Sequence, residues 1–279
     1  MTEWLDHLHE IRRREYDLVF GGCPPFLFRR GLELGSGDGY ESGLLSRHVR
    51  TLVASDFGDP PPGFGPDPRV QYRKCDAEDV ESSFGQGEFD LVFSSNLLEH
   101  LPDLPRALRG IHRVLADDGV AIHAVPNVFW KASHLAGYYP SLALATMRAV
   151  SRPGFVRRLV TRRILRRGKG GGTPVSDVAR VSGNNPKMPP PAPRLLWPTP
   201  HGAYASNVQE LQAFRKRRWL REFEAAGFAV VKTLRGPVAS GYGFGLDRVR
   251  RALERAGFAS EHVFITVKRG RVSPFLAYF

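Results

Sequence analysis

The residues best suited to chemistry in this 279-residue chain gather in one short run, Glu33-Leu-Gly35-Ser36-Gly37-Asp38-Gly39. Glycines at alternate positions let the backbone turn tightly and let a ligand approach with no Cβ in the way. An apolar stretch, about Arg30 to Leu34, leads into the run, and a helical pattern over Glu41 to Arg47 leads out of it. The run is therefore a strand-to-helix turn, the setting in which such glycines cradle a nucleotide-like cofactor. Asp56 closes the next apolar strand, 21 residues after Gly35, where a carboxylate is placed to accept hydrogen bonds from two ribose hydroxyls.

Two adenosine cofactors compete for this turn. A dinucleotide needs G-x-G-x-x-G and a pyrophosphate facing the helix N-terminus. Counting from Gly37, the third glycine position is Ser42, and Asp38 and Glu41 put carboxylates where phosphate would sit. A sulfonium cofactor is cationic, so Glu33 and an acidic lining suit it. Charge along the chain agrees. The whole carries +12, yet residues 1–127 hold 13 basic and 21 acidic side chains, net −8, and residues 128–279 hold 27 and 7, net +20. A positive second half suggests an anionic partner for that half alone.

The elements that position the run follow from periodicity. Residues 2–20 read as a helix through Trp4, Leu5, Leu8, Ile11 and Leu18; strands follow at Arg50 to Ser55, Val70 to Lys74, Phe89 to Ser94 and Val120 to Val125. A helix spans Leu104 to Leu115, closed by Asp117-Asp118-Gly119. Strands alternating with helices of about a dozen residues imply a parallel sheet. After residue 200 a helix runs to Ala226-Gly227, then come a strand Phe228 to Leu234, a helix Leu246 to Ala256 and a strand His262 to Lys268.

With these motifs in order, the chain resembles the class I S-adenosylmethionine-dependent methyltransferases, especially the small-molecule branch that includes ubiquinone-biosynthesis enzymes. The resemblance rests on Glu33 to Gly39, Asp56, Cys75-Asp76-Ala77-Glu78, Phe89-Asp90-Leu-Val-Phe-Ser-Ser-Asn-Leu-Leu-Glu99-His100-Leu101 and Arg113 to Gly119. It covers residues 30–127 well and the C-terminal strands loosely. It implies a Rossmann-like α/β fold: a seven-stranded, mostly parallel sheet with helices on both faces, the last strand antiparallel, and a cap inserted after strand five. The expected divisions are 1–127 as N-terminal helix and cofactor-binding core, 128–200 as the insertion, and 201–279 completing the sheet. The same resemblance implies S-adenosyl-L-methionine as cofactor, held by Glu33, Gly35, Ser36, Gly37 and Gly39 along the turn. Asp56 would take the ribose hydroxyls, Asp76 and the Ala77 amide the adenine, and Ser94 to Asn96 would lie beneath the methionine moiety.

Methyl transfer to a hydroxyl needs a nearby proton acceptor. His100 follows the fourth strand at the edge where ligands bind and is the first candidate base; His201, in Pro198-Thr-Pro-His-Gly202, is the second, with Tyr204 beside it. His123, inside a strand, reads as a core residue. No residue is assigned to a metal. An NAD-type oxidoreductase is disfavoured by the loop carboxylates, and a non-catalytic cofactor-binding scaffold is the other alternative.

The acceptor is constrained only by the insertion. Nucleic-acid amino-methyltransferases resemble one another in an Asn/Asp-Pro-Pro-Tyr/Phe tetrad, and this chain reads Ser95-Asn-Leu-Leu instead, with no RNA-binding module beside the core. Phe129-Trp130-Lys131 opens an uncharged run, Ala132 to Met147, interrupted by Gly137 and Pro140 and too short at 16 residues for a membrane span of ~20. The arginine-rich stretch Phe155 to Arg167 is imperfectly amphipathic, suiting either a cap on the core or a helix at an anionic membrane surface. Gly168 to Pro193, with five Gly and six Pro, reads as a flexible loop. The expected acceptor is thus a small molecule, a saccharide or a lipid-linked group, with oxygen favoured over nitrogen. Two cysteines and a charged N-terminus point to a cytoplasmic protein, with peripheral contact at the inner membrane face through 129–167.

Overall fold

The computed structural model describes residues 2–61, 64, 67–150, 198, 200–201, 203–239 and 247–279. Its seven strands are Phe28–Leu34 (β1), Val49–Asp56 (β2), Val70–Lys74 (β3), Phe89–Ser95 (β4), Leu115–Pro126 (β5), Phe228–Arg235 (β6) and Glu261–Lys268 (β7). They form one sheet in the order β3-β2-β1-β4-β5-β7-β6. The first five strands are mutually parallel, and β7 runs antiparallel to both its neighbours. The expected sheet is the observed one. All seven residues of β4 are buried, as a strand covered on both faces requires. Its one acid, Asp90, is satisfied there by accepting the N–H groups of Arg29 and Arg30 at 2.9 and 2.6 Å.

The helices are Thr2–Phe20 (α1), Tyr40–Leu45 (α2), Leu104–Val114 (α3), Val128–Val150 (α4), Asn207–Ala213 (α5), Lys216–Ala225 (α6) and Asp247–Arg255 (α7). Asp103 starts α3 by accepting the Arg106 N–H at 3.0 Å, with Pro105 in the first turn. On one face of the sheet Leu108 and Ile111 of α3 pack with Trp219 and Phe223 of α6 and Phe264 of β7. On the other, Phe20 of α1 and Leu45 of α2 pack with Phe93 and Ile265. A C-terminal turn, Pro274–Tyr278, adds Phe275 against Phe28 and brings Phe279 to Phe20. No sequence pattern had announced that tail.

Three details differ from expectation. Asp117-Asp118-Gly119 is a bulge inside β5 rather than a loop before it, since Phe89 pairs with Leu115 and Leu91 already with Val120. Residues 207–225 form two helices, α5 and α6, in place of one. Gly137 and Pro140 do not interrupt the apolar run, which lies in the continuous α4. No helix among the described residues is long and apolar enough to cross a membrane. Phe155 to Arg167 and Gly168 to Pro193 lie outside the described residues.

Because β1 is flanked by β2 on one side and β4 on the other, the chain reverses its direction of winding between β1 and β4. The carboxyl ends of those strands open a crevice at this switch point, where ligands bind in open α/β sheets. Every candidate site residue from the first half of the chain is at or just beyond that edge.

Candidate active site

The turn after β1 is shaped by its glycines. Gly35, Gly37 and Gly39 have φ of 78°, 53° and 82°, a region costly for residues with a Cβ. The N–H groups of Gly35 and Ser36 donate to the Ser55 carbonyl at 2.8 and 2.9 Å, closing the turn against β2. Asp56 then accepts the Gly37 N–H at 3.0 Å and the Phe57 N–H at 2.7 Å. Its Oδ1 also accepts a longer bond from the Gly58 N–H at 3.4 Å, so of a carboxylate's about four lone-pair sites one remains for another donor. A Cβ on Gly39 would strike the Phe64 ring at 2.5 Å, whereas one on Gly37 would meet nothing within 4 Å. The turn is thus closed below and open above Gly37. Beside it, the buried Ser36 hydroxyl has no hydrogen-bond partner among the described residues. Open space over a glycine and an unsatisfied hydroxyl are features that a bound ligand completes.

Glu33 has a supporting part. It is 2% exposed and accepts the Ser42 hydroxyl at 2.5 Å, tying β1 to α2. Burial raises its carboxyl to about 7; the Ser42 bond opposes this, and Asp38 and Asp56 add to it. Ser42, standing where a dinucleotide site has its third glycine, is therefore a structural hydroxyl. Asp76 follows β3 and accepts the Glu78 N–H at 2.9 Å, with Ala77 half-buried next to it. Ser94 is fully buried and its hydroxyl pairs with His123 Nδ1 at 2.8 Å, so it is turned into the sheet. His123 is the expected core residue, stacked on Phe223, and burial lowers its pKa to about 3. Asn96, at φ 49°, donates to Ser95 Oγ and to Glu261 Oε1 at 3.3 Å each.

Around these residues lies an acidic cluster that sequence reasoning missed. Arg12 of α1 donates to Glu15 at 2.9 Å and to Ser95 Oγ at 2.5 Å, and its Nε is 3.6 Å from Glu41. Glu15 is fully buried and Glu261 3% exposed. Burial pushes Glu261 up to about 8; Glu15 adds to this, and Arg12 and the Asn96 amide oppose it. Glu41 is likewise raised by burial, against the attraction of Arg12. Burial alone would lower Arg12, but Glu41, Glu15 and Glu261 together hold it above the usual arginine range. Three carboxyls, Glu41, Glu15 and Glu261, therefore act on one guanidinium, and Glu33 bears on Glu41 from the end of β1.

A second cluster lies where the chain leaves β4. His100 ends a short turn, Leu98–His100, and its ring lies 4.7 Å from that of His201. The two histidines singled out separately in the sequence are in contact. Trp130 lies 4.7 Å from His201 and stacks on His134. The Ala203 N–H donates to the Glu99 carbonyl at 3.1 Å, and the His201 N–H to Glu210 Oε2 at 2.9 Å. Glu210 also holds Lys131 at 2.6 Å in a pair with both side chains fully buried. Burial lowers His100 to about 4 and His201 well below its ordinary value, the latter helped by His100, His134 and Lys131. Tyr204 packs on Phe214, 6.0 Å away.

Comparison with known proteins follows from this geometry. A family model described as a methyltransferase domain matches residues 6–166. The human mitochondrial arginine-hydroxylase NDUFAF5 is 32% identical over 116 residues, 41% of this chain and 32% of that protein. The ubiquinone biosynthesis O-methyltransferase of Pseudomonas syringae pv. tomato is 27% identical over 105 residues, 36% of this chain and 45% of that one. The matches therefore span less than half the length of either relative. Among solved structures, an S-adenosylmethionine-dependent methyltransferase of Listeria monocytogenes, itself described as putative, superimposes with a TM-score of 0.53. At 11% identity, over 92% of this chain and 98% of that one, it shows a shared fold.

Proposed function

The chain belongs to the methyltransferase-domain family, and we propose that it transfers the methyl group of S-adenosylmethionine to a hydroxyl oxygen of a small-molecule acceptor. The observation that carries this reading is the open space above Gly37 inside an acid-lined crevice. Bound there, S-adenosylmethionine supplies an activated methyl carbon together with its own leaving group. The chain's tasks are then to bind, to orient, to exclude water and to accept a proton.

Each task has residues. Asp56 has a lone pair left for a ribose hydroxyl, and Asp76 with the Ala77 amide stands at the neighbouring strand end for the adenine. Asn96 and the Gly35 to Gly39 backbone border the methionine end. Arg12, bridged to Ser95 at the end of β4, is the cation placed to meet a carboxylate. The Asp38 and Asp56 carboxylates at the turn favour a cation and repel pyrophosphate, which supports a sulfonium over a dinucleotide. The buried Ser94 hydroxyl, paired with His123, contributes to the floor rather than by direct contact.

His100 and His201 are placed to take the acceptor's proton. In an O-methylation the acceptor oxygen forms the new bond to carbon, the carbon–sulfur pair stays on sulfur, and the hydroxyl proton passes to one imidazole. Burial keeps both rings neutral at pH 7, so a lone pair is available. Oxygen is favoured because the ubiquinone-biosynthesis relative is an O-methyltransferase; saccharide and lipid-linked hydroxyls present the same chemistry.

The test is incubation of the purified chain with S-adenosylmethionine and a metabolite extract, followed by mass spectrometry. The expected result is S-adenosylhomocysteine together with a product heavier by CH₂, its new methyl on oxygen. Cofactor binding without any methylated product would leave a scaffold and overturn the catalytic reading.

A further inference from the structure

We propose that Glu99, His100 and His201 form a binding site for a divalent metal ion of the zinc or iron(II) class. One ligand atom from each residue lies within 4.8 Å of the other two. The Glu99 Oε1 to His100 Nε2 distance is 3.6 Å, too long for a hydrogen bond between them. Two donors each about 2.1 Å from one ion at a tetrahedral angle stand about 3.4 Å apart. This pair is thus already spaced as two ligands of a common ion, and His201 closes the set with a small movement.

A second observation points the same way. Glu99 is 1% exposed, and neither of its carboxylate oxygens accepts a hydrogen bond from any other described residue. A buried carboxyl left in that condition is costly unless a proton or a cation completes it.

The surroundings are those of a ligand set rather than of a general acidic patch. Lys131, whose charge bears on His201, is matched by Glu210 at 2.6 Å. Glu210 also accepts the His201 N–H, fixing the backbone that carries the third ligand. Two imidazoles and one carboxylate suit zinc or iron(II), whereas thiolate-seeking ions find no sulfur among these three. Three protein ligands would leave a position open for a further oxygen. The site stands on its own geometry; only its role rests on the methyl-transfer reading. An ion there would occupy the imidazole lone pairs and, in place of an imidazole base, would hold the acceptor oxygen and ease loss of its proton.

The experiment is titration of the chelator-treated, full-length chain with Co²⁺, read by visible absorption, and with Zn²⁺ in competition. The expected result is one Co²⁺ per chain, displaced by Zn²⁺, with affinity reduced at least 10-fold in Glu99→Gln and in His201→Gln. Circular dichroism checks that both variants are folded, and His201, being only half-buried, tolerates exchange if Glu99 does not. No Co²⁺ binding by the wild-type chain, or stoichiometric binding unchanged in folded variants, would overturn the site. Calorimetry with S-adenosylmethionine on the same metal-free sample separates the two readings: cofactor binding without Co²⁺ binding removes the metal site and leaves methyl transfer standing.

Discussion

The Asp56 carboxylate accepts the backbone N–H of Gly37 at 3.0 Å, joining the end of β2 to the turn after β1. That bond aims the carboxylate at the space above the turn and holds the turn open. Asp56→Ala removes both the anchor and the expected ribose partner. Charge-assisted hydrogen bonds contribute about 1.5–3 kcal/mol, so S-adenosylmethionine affinity should fall roughly 10- to 150-fold. Isothermal titration checks this, and unchanged affinity would remove Asp56 from the site.

Gly37→Ala separates ligand space from fold. Its Cβ would meet no protein atom within 4 Å, so the cost to stability is limited to the positive φ, about 1–2 kcal/mol. The added methyl would occupy the space given to the cofactor. Cofactor binding should drop by at least 10-fold while thermal melting shows a fold intact. Full affinity in this variant would place the ligand elsewhere.

Much of this site is readable from residue order, because β-strand ends and glycine turns are local features. Gly35, Gly37, Gly39, Asp56 and Asp76 all fall at the expected strand ends. The boundaries of α1 were equally legible, but its buried face was not. Leu5 and Leu18 are 37% and 44% exposed, while Glu15 is fully buried. A glutamate can be buried there only because Arg12 and Ser95 meet it, and Ser95 belongs to a strand 80 residues away in sequence. The contact between His100 and His201 is of the same kind. Each ring was conspicuous alone, but their pairing depends on the segment before α5 meeting the turn after β4. Ser94 shows the converse limit: its register opposite His123 turns the hydroxyl inward, which a strand motif does not specify.

The Lys131–Glu210 pair anchors α4 to α5 from within. Lys131→Met alone leaves a buried carboxylate without its cation, and breaking a buried pair costs about 3–5 kcal/mol. The double variant Lys131→Met, Glu210→Leu removes both charges and should recover much of that loss. Urea denaturation midpoints test this. A double variant no more stable than the single would mean that the bond from the His201 N–H to Glu210, and not the ion pair, carries the stabilisation.

Stability should fall as pH rises above neutrality. Burial lowers His100, His134 and His262 to about 4 and His123 to about 3, from 6.5. The unfolded chain therefore takes up protons that the fold excludes, and this set loses stability as pH falls from 6.5 toward 4. Burial raises Glu33 to about 7, and Glu99 and Glu261 to about 8, from 4.5. For this set the fold keeps protons that the unfolded chain has released, so its contribution is full below 4.5 and is lost as pH rises to 8. The two slopes oppose each other between 4.5 and 6.5, and only the carboxyl slope remains above. The Tm of the metal-free chain should decline from pH 6.5 to 8.5, less steeply in Glu99→Gln. A rising Tm across that window would contradict the buried, protonated carboxyls.

The most direct measurement is calorimetric titration of the wild-type chain with S-adenosylmethionine and, separately, with NAD. An acid-lined crevice that accepts a sulfonium and rejects pyrophosphate should bind one S-adenosylmethionine per chain and show no heat with NAD. Saturable NAD binding, with S-adenosylmethionine silent at millimolar concentration, would contradict the account.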